Sequence, residues 1–173
     1  MEFPRSKSWV EVRWVVEDPG RRVAGMMADL NLLLEERPVL VDFGAGTMVY
    51  AALRPGQGAS MLGDVSPSGR QSWRVDVGDA PYAAVSGRAE GWAHVMDPRR
   101  ATAIAIADFA RSGPVLRDSI SVSPDGRLRI RRDFSGGLQK RLTFWLHFVD
   151  TPVQVGAATS PQSMLQPPKI EWK

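Results

Sequence analysis

Apolar and polar residues alternate along much of the chain. In residues 8–17, apolar side chains occupy every second position and charged ones fill most positions between them. A period of two is typical of a β-strand with one buried face. Further strands are predicted where the same alternation recurs, or where a short apolar run is bounded by turns that contain glycine or proline. These are residues 38–43, 47–53, 60–65, 71–77, 82–85, 90–95, 119–122, 127–132 and 141–149.

Two segments instead have the three-to-four-residue spacing of an amphipathic helix. In residues 21–36 this spacing is set by valine, methionine and leucine. In residues 98–112, Asp97 can cap the N-terminus, Pro98 suits the first helical position, and Gly113 ends the segment. Two helices among many strands predict an α+β fold, a mostly antiparallel sheet with the two helices packed on it.

The regular pattern fades after Asp150. Residues 1–150 are therefore expected to form a single domain, which fits the usual size of about 100–200 residues. Residues 151–173 contain four prolines and scattered apolar residues. They are expected to form an extended C-terminal tail.

Charge and cysteine content narrow the classes of function. The chain has 22 basic and 19 acidic side chains, a net charge of +3, which permits nucleic acid or acidic proteins as partners without favouring either. The absence of cysteine excludes disulfides, thiol nucleophiles and thiolate metal sites, and agrees with a cytoplasmic location. No apolar run is long enough to span a membrane, so we expect no membrane partner.

No set of residues in the sequence suggests catalysis. The two histidines, His94 and His147, have no identified partners that would complete a catalytic or metal-binding set, so no catalytic residue, metal site or cofactor is predicted. Gly44 and Gly46 lack the third glycine and following helix of a dinucleotide site. Whether the protein is an enzyme is uncertain, and a non-enzymatic role is favoured. One alternative is an enzyme or small-ligand-binding domain with a pocket around Asp76 and His94.

A second alternative is nucleic-acid binding by a basic ribbon over residues 127–145. Arginines alternate along its first strand and Trp145 follows in the next, so the ribbon could contact phosphates and stack a base. A solvated sheet face, or an edge strand protected by charge, is the favoured interpretation. The nucleic-acid-binding candidates are Arg127, Arg129, Arg131, Lys140 and Arg141.

Three stretches carry a resemblance to a known family. Residues 38–41 (Pro-Val-Leu-Val) enter a hairpin, Pro81 and Tyr82 precede a strand of small residues, and residues 97–114 run from Asp-Pro to Gly-Pro. Over residues 30–122 the chain resembles an immunity protein family of bacterial polymorphic toxin systems. Members neutralise secreted toxins such as deaminases and nucleases. The resemblance implies a helix beginning at Pro98 and a toxin as partner.

The leading hypothesis is therefore a bacterial protein-binding module, an immunity protein that neutralises a cognate toxin by covering its surface. Such an interface needs aromatic and arginine anchors near its centre. The partner-binding candidates are Trp73, Arg74, Tyr82, Arg88, Trp92 and Trp145.

Overall fold

The computed structural model describes residues 9–34, 39–111 and 113–150, without the side chains of Met48, Val149 and Asp150. The tail predicted for residues 151–173 lies outside the described residues. The described part contains twelve strands and no helix. The strands are β1 (Trp9–Glu17), β2 (Gly25–Asn31), β3 (Val39–Gly44), β4 (Met48–Leu53), β5 (Ala59–Val65), β6 (Gln71–Val77), β7 (Ala80–Ser86), β8 (Trp92–Met96), β9 (Arg100–Ile106), β10 (Val115–Val122), β11 (Arg127–Phe134) and β12 (Gln139–Asp150).

The strands form a sandwich of two six-stranded sheets. Sheet A has the order β1-β12-β9-β8-β3-β4, and sheet B has the order β2-β11-β10-β5-β6-β7. Every neighbouring pair is antiparallel. Within the described residues, no helix has the length and apolar character needed to cross a membrane.

The core lies between the two sheets and draws on both. Phe43 of β3 and Leu142 of β12 come from sheet A, and Met61 of β5 and Ile120 of β10 come from sheet B; all four are fully buried. Because one apolar cluster joins the sheets, the sandwich is a single packing unit.

The α+β prediction is wrong, and the first predicted helix shows one reason. Within residues 21–36, residues 25–31 form β2, the edge strand of sheet B that pairs with β11. Met26, Ala28 and Leu30 contact the core, while Met27 and Asp29 lie on the other face. Apolar residues in this segment satisfy both a period of two and a spacing of four, so spacing alone did not exclude a strand.

The second predicted helix is also a strand. Residues 100–106 form β9, which lies inside sheet A between β12 and β8. Ile104 and Ile106 belong to the core between the sheets, and Ala103 and Ala105 belong to a separate cluster on the opposite face. A strand buried on both faces has a nearly continuous apolar sequence, which periodicity cannot distinguish from a buried helix.

The predicted helix cap at Asp97 instead closes a turn between two strands. The Asp97 carboxylate accepts hydrogen bonds from the N–H groups of Arg99 (2.8 Å) and Arg100 (2.7 Å), as at a helix N-terminus. The Asp97 N–H, however, donates to the Arg100 carbonyl at 2.9 Å and joins β8 to β9. Aspartate has the same local chemistry in turns and in caps, so the signal did not specify a helix.

Candidate functional site

Two of the six partner-binding candidates lie side by side on the surface. Arg74 of β6 and Tyr82 of β7 are on neighbouring strands at the edge of sheet B. Tyr82 is 58% exposed. The Arg74 Nε donates to the Asp76 carboxylate at 3.0 Å, and both side chains remain accessible. The structure therefore brings these two candidates together at one free edge.

The three tryptophans among the candidates are buried. Trp73 lies in the core between the sheets. Trp92 and Trp145, only 7% and 9% exposed, pack around Ala103 and Ala105 on the opposite face of sheet A. Trp73 is thus separated from the other two by the thickness of a sheet. None of the three is an exposed anchor in the structure.

The arginines of the basic ribbon are matched by carboxylates. Each arginine that was predicted on β11 forms an ion pair, so the charge of the ribbon is largely cancelled. The hydrogen bond from Arg129 lowers the pKa of Asp29, although partial burial opposes the shift. The pairs are Arg127–Asp125 (3.9 Å), Arg129–Asp29 (2.8 Å) and Arg131–Asp133 (2.8 Å).

The structure also separates the ribbon from its predicted aromatic partner. Strand β11 belongs to sheet B, whereas Trp145 lies on β12 in sheet A. Arg141 is exposed on β12. Its neighbour Lys140 is fully buried.

Lys140 has a structural environment. Its Nζ donates to the Gly137 carbonyl at 2.8 Å and to the Gly136 carbonyl, and lies 3.6 Å from an Asp18 carboxylate oxygen. The ammonium also lies 5.5 Å from the centre of the Phe134 ring. A lysine held in this way fastens the loop between β11 and β12 and is not placed to contact a phosphate.

The pocket predicted around Asp76 and His94 does not form, because Asp76 is on sheet B and His94 is on sheet A. His94 instead faces Asp42 on the adjacent strand β3, with its Nδ1 3.8 Å from a carboxylate oxygen. The sequence signal for this pair is a charged residue inside the short apolar strand of residues 39–44. Within the described residues, no group of three side chains is placed to hold a metal ion.

The Asp42–His94 pair lies on the face of sheet A opposite the core. The Asp42 Oδ1 and the His94 Nε2 are both buried and have no hydrogen-bond partner among the described residues. The Trp92 ring lies 5.7 Å from the His94 ring. Burial, with a smaller contribution from the charge of His94, lowers the pKa of His147, which Ala103 separates from His94 on this face.

A cleft of about 580 Å³ opens at one end of the sandwich. Its walls are the turn between β3 and β4, the loop between β7 and β8, the loop after β9, and Trp145. Arg88, the sixth partner-binding candidate, is exposed in the second of these loops. Ile106 and Phe109 also border the cleft, although both side chains are almost completely buried.

A buried ion pair holds the loop after β9. Arg132 and Asp118 form two hydrogen bonds of 2.7 Å. Arg132 also donates to the Ala107 carbonyl at 2.8 Å, and the Asp118 carboxylate accepts the Ala110 N–H at 2.7 Å. Burial raises the pKa of Asp118, and the Arg132 guanidinium opposes this shift. The pair therefore ties the wall of the cleft to β10 and β11.

No protein-family model, curated protein or solved structure matches this chain.

Proposed function

We propose that this protein is a protein-binding module whose partner docks on the side of the sandwich formed by the edge strands β4 and β7. Strand β4 contacts β6, the neighbour of β7, so the two edges lie on the same side. The observation that supports the proposal is that neither edge strand contains a charged residue. Tyr50, Tyr82 and Val85 are at least half exposed along them.

On the opposite side of the sandwich, charged residues protect the edge strands from unwanted pairing with other chains. Its edge strands carry charges at Glu11, Arg13 and Glu17 on β1 and at Asp29 on β2. Natural proteins use charge, proline and bulges to prevent unwanted pairing at sheet edges. Strand β7 has Pro81 and a register irregularity at Tyr82 near its start, but neither device from residue 83 to 86.

The partner that suits this surface is a protein that presents an extended segment. Such a segment adds a strand to the free edge of β7, and backbone hydrogen bonds supply most of the affinity. The exposed side chains of Tyr82 and Val85 then contact side chains of the added strand. Tyrosine and arginine are common anchors in interfaces, and Arg74 lies on the next strand.

The resemblance to immunity proteins suggests which protein this partner is. Both β4 and β7 fall within residues 30–122, where the resemblance lies. Residues 97–111 of the third stretch form a turn, strand β9 and a loop instead of a helix, so the support comes from residues 39–41 in the β3–β4 hairpin and from Pro81 and Tyr82 on β7. The partner is then a bacterial toxin, neutralised because the bound module covers its surface.

The test uses Val85→Lys, which places a charge on the free edge. Affinity purification from the source organism with the wild-type chain should recover a partner that the Val85→Lys chain loses. Val15→Lys is the matched control, because Val15 is 40% exposed on the opposite edge strand β1. That control chain should retain the partner, and the thermal stability of both variants should match the wild type.

Two results would contradict parts of this proposal. Equal retention of the partner by the Val85→Lys and Val15→Lys chains would exclude docking on β7. The recovered partner should also arrest growth when expressed alone and lose that effect when co-expressed with the wild-type chain. A non-toxic partner would leave a protein-binding module and exclude an immunity protein.

The nucleic-acid alternative has no comparable support. The β11 arginines are paired with carboxylates, and Lys140 is buried. Binding through phosphates would require these ion pairs to exchange partners. An affinity for mixed DNA that falls steeply with added salt would restore this alternative.

A further inference from the structure

We infer that two copies of this protein pair through the side formed by β4 and β7, with β7 of each copy beside β4 of the other. This dimer goes beyond the proposed partner, because it needs only the chain itself. A partner strand that binds β7 would take the place of β4 from the second copy.

The two sheets of the sandwich are offset from each other by one strand. Counted from this side, β4 is the first strand of sheet A, and it contacts β6, the second strand of sheet B. Strand β8, the third of sheet A, contacts β10, the fourth of sheet B. Both contacts give the same offset, so β7 projects one strand beyond β4.

The exposure of inward side chains agrees with this offset. Val85 of β7 lies opposite the buried Trp73 and so faces the core side of sheet B, yet it is 55% exposed. Because both sheets have six strands, sheet A projects in the same way on the far side. There Trp14 of β1 lies opposite the buried Leu142 and is 43% exposed. On each side, therefore, the projecting strand has an apolar side chain that the other sheet does not cover.

The offset makes the side of β4 and β7 complementary to itself. Among the described strands, β4 is the last of sheet A, so the space beside it and above β7 is a recess one strand wide. A two-fold axis parallel to the strands places β7 of each copy in the recess of the other. Both sheets then continue across the interface, and the assembly closes as a dimer.

The strand directions allow antiparallel pairing at both places. Leu53 at the end of β4 borders the same small pocket as Val122, which pairs with Ala59 at the start of β5. Strands β4 and β5 therefore run in opposite directions. Strands β5, β6 and β7 alternate in direction, which makes β7 antiparallel to β4. Rotation about an axis parallel to the strands preserves their direction, so β7 of one copy is antiparallel to β4 of the other.

The composition of the two edges suits a second copy. Neither β4 nor β7 contains a charged residue, so no like charges meet across the axis. The edge strands of the far side carry charges, which explains why the dimer forms on this side. In the dimer, the two β7 strands lie opposite each other in a shared core. The axis thus brings the two Val85 side chains together.

The first measurement is the mass of the purified full chain in solution. We expect a dissociation constant in the micromolar range, because two short strand pairs and two valines bury a small area. Sedimentation velocity at rising concentration should therefore show a change from the mass of one chain to the mass of two.

Two lysine variants test the side of the interface. Val85→Lys should weaken the dimer by about a hundredfold or more, because two ammonium groups would lie unpaired in the shared core. Val15→Lys is the matched control on the far edge strand β1, where Val15 is 40% exposed, and it should dimerise like the wild type. Both positions are exposed, so both variants should fold, which circular dichroism verifies.

Cross-linking tests the orientation of β7. The chain has no cysteine, so Val85→Cys introduces a single thiol. Stacked sheets lie about 10 Å apart, so a short bis-maleimide should join two Val85→Cys chains. Ala84→Cys is the control, because Ala84 lies opposite the exposed Arg74 on the outer face of sheet B. Its two thiols would point away from each other and should not be joined.

Three results would overturn the inference. They are a chain that stays monomeric at millimolar concentration, equal weakening by Val85→Lys and Val15→Lys, and cross-linking of Val85→Cys that is no greater than that of Ala84→Cys. The last result would indicate that two β7 strands pair directly, edge to edge. A monomeric chain would leave the partner proposed on β7 unaffected, since affinity purification tests that partner separately.

Discussion

At the scale of single residues, the alternation of the strands already distinguishes buried from exposed charges. Leu128 and Ile130 face the core on β11, and Arg132 continues their series. Lys140 likewise precedes Leu142 at an inward position of β12. The basic ribbon predicted over residues 127–145 grouped the charged residues by position in the chain and did not consider which face of its strand each residue occupies. The pairing partners could not be predicted, because they depend on how distant strands meet.

The buried pair predicts a large effect of Arg132→Met on stability. Removing the guanidinium leaves the Asp118 carboxylate, which is fully buried, without its partner. The free energy of unfolding should fall by about 3–5 kcal/mol, as for other broken buried pairs. Urea unfolding measures it. The control is Arg129→Met, because the Arg129–Asp29 pair is accessible; its loss should be much smaller, and equal losses would contradict the role given to Arg132.

Asp18 predicts a pH dependence of stability. Burial raises the pKa of this carboxyl, but the N–H groups of Arg22 and Val23 and the ammonium of Lys140 outweigh it, so the folded pKa lies below 3.8. A depressed folded pKa contributes stability above the unfolded pKa, and that contribution is lost as pH falls through the folded value. Asp18→Asn should therefore destabilise the protein most above about pH 4.

The measurement for Asp18→Asn is urea unfolding at a series of pH values from neutral to acid. The difference from the wild type should shrink steadily below about pH 4. Asp79→Asn, in the exposed turn between β6 and β7, is the control and should show no such trend. A difference that stayed constant with pH would mean that Asp18 acts only by packing.

At the scale of elements, alternation and short apolar runs predicted strands correctly, whereas helical spacing predicted two helices that are strands in the structure. All ten strands predicted from alternation or short apolar runs overlap strands of the structure, and residues 71–77 coincide with β6. The errors were confined to β2 and β9. In β9 the apolar side chains of both faces are buried, and its turn uses cap-like chemistry at Asp97. Local sequence does not show whether other elements or solvent cover each face of a segment. Tertiary contacts therefore determined that β2 and β9 are strands and not helices.

The close packing of Gly91, just before β8, against the loop after β9 predicts that substitution by alanine destabilises the protein far more at Gly91 than at Gly69. Gly91 has a φ of +83°, and its added Cβ would overlap Phe109. Gly69 has nearly the same φ, +80°, with no atom within 4 Å of an added Cβ. Gly69→Ala should cost about 1–2 kcal/mol from the backbone alone. Gly91→Ala should cost that amount plus about 1–3 kcal/mol of overpacking.

The two glycine variants are compared by urea unfolding under the same conditions. Because the φ values match, the difference between them isolates the contact with Phe109. Equal costs would show that the loop moves away freely and that the wall of the cleft is not fixed.

At the scale of the whole molecule, the candidate site depended on which sheet each strand joins. Arg74 and Tyr82, two of the predicted partner-binding residues, lie on the neighbouring strands β6 and β7 of sheet B, and both are exposed. Trp145 follows β11 closely in sequence, yet the chain crosses to the other sheet between β11 and β12. Alternation indicates the face of a strand but not its sheet, so the separation of the ribbon from Trp145 could not be predicted.

The same topology predicts that the sandwich unfolds as one unit. The first described strand pairs with the last, with Trp9 opposite His147. Sheet A is therefore complete only when both ends of the described chain are in place. The core includes residues of both sheets. Urea unfolding followed by tryptophan fluorescence and by far-ultraviolet circular dichroism should therefore give coincident transitions. Refolding should take milliseconds to seconds because half of the ten strand pairings are distant in sequence. Separate midpoints for the two probes would mean that one sheet is stable without the other.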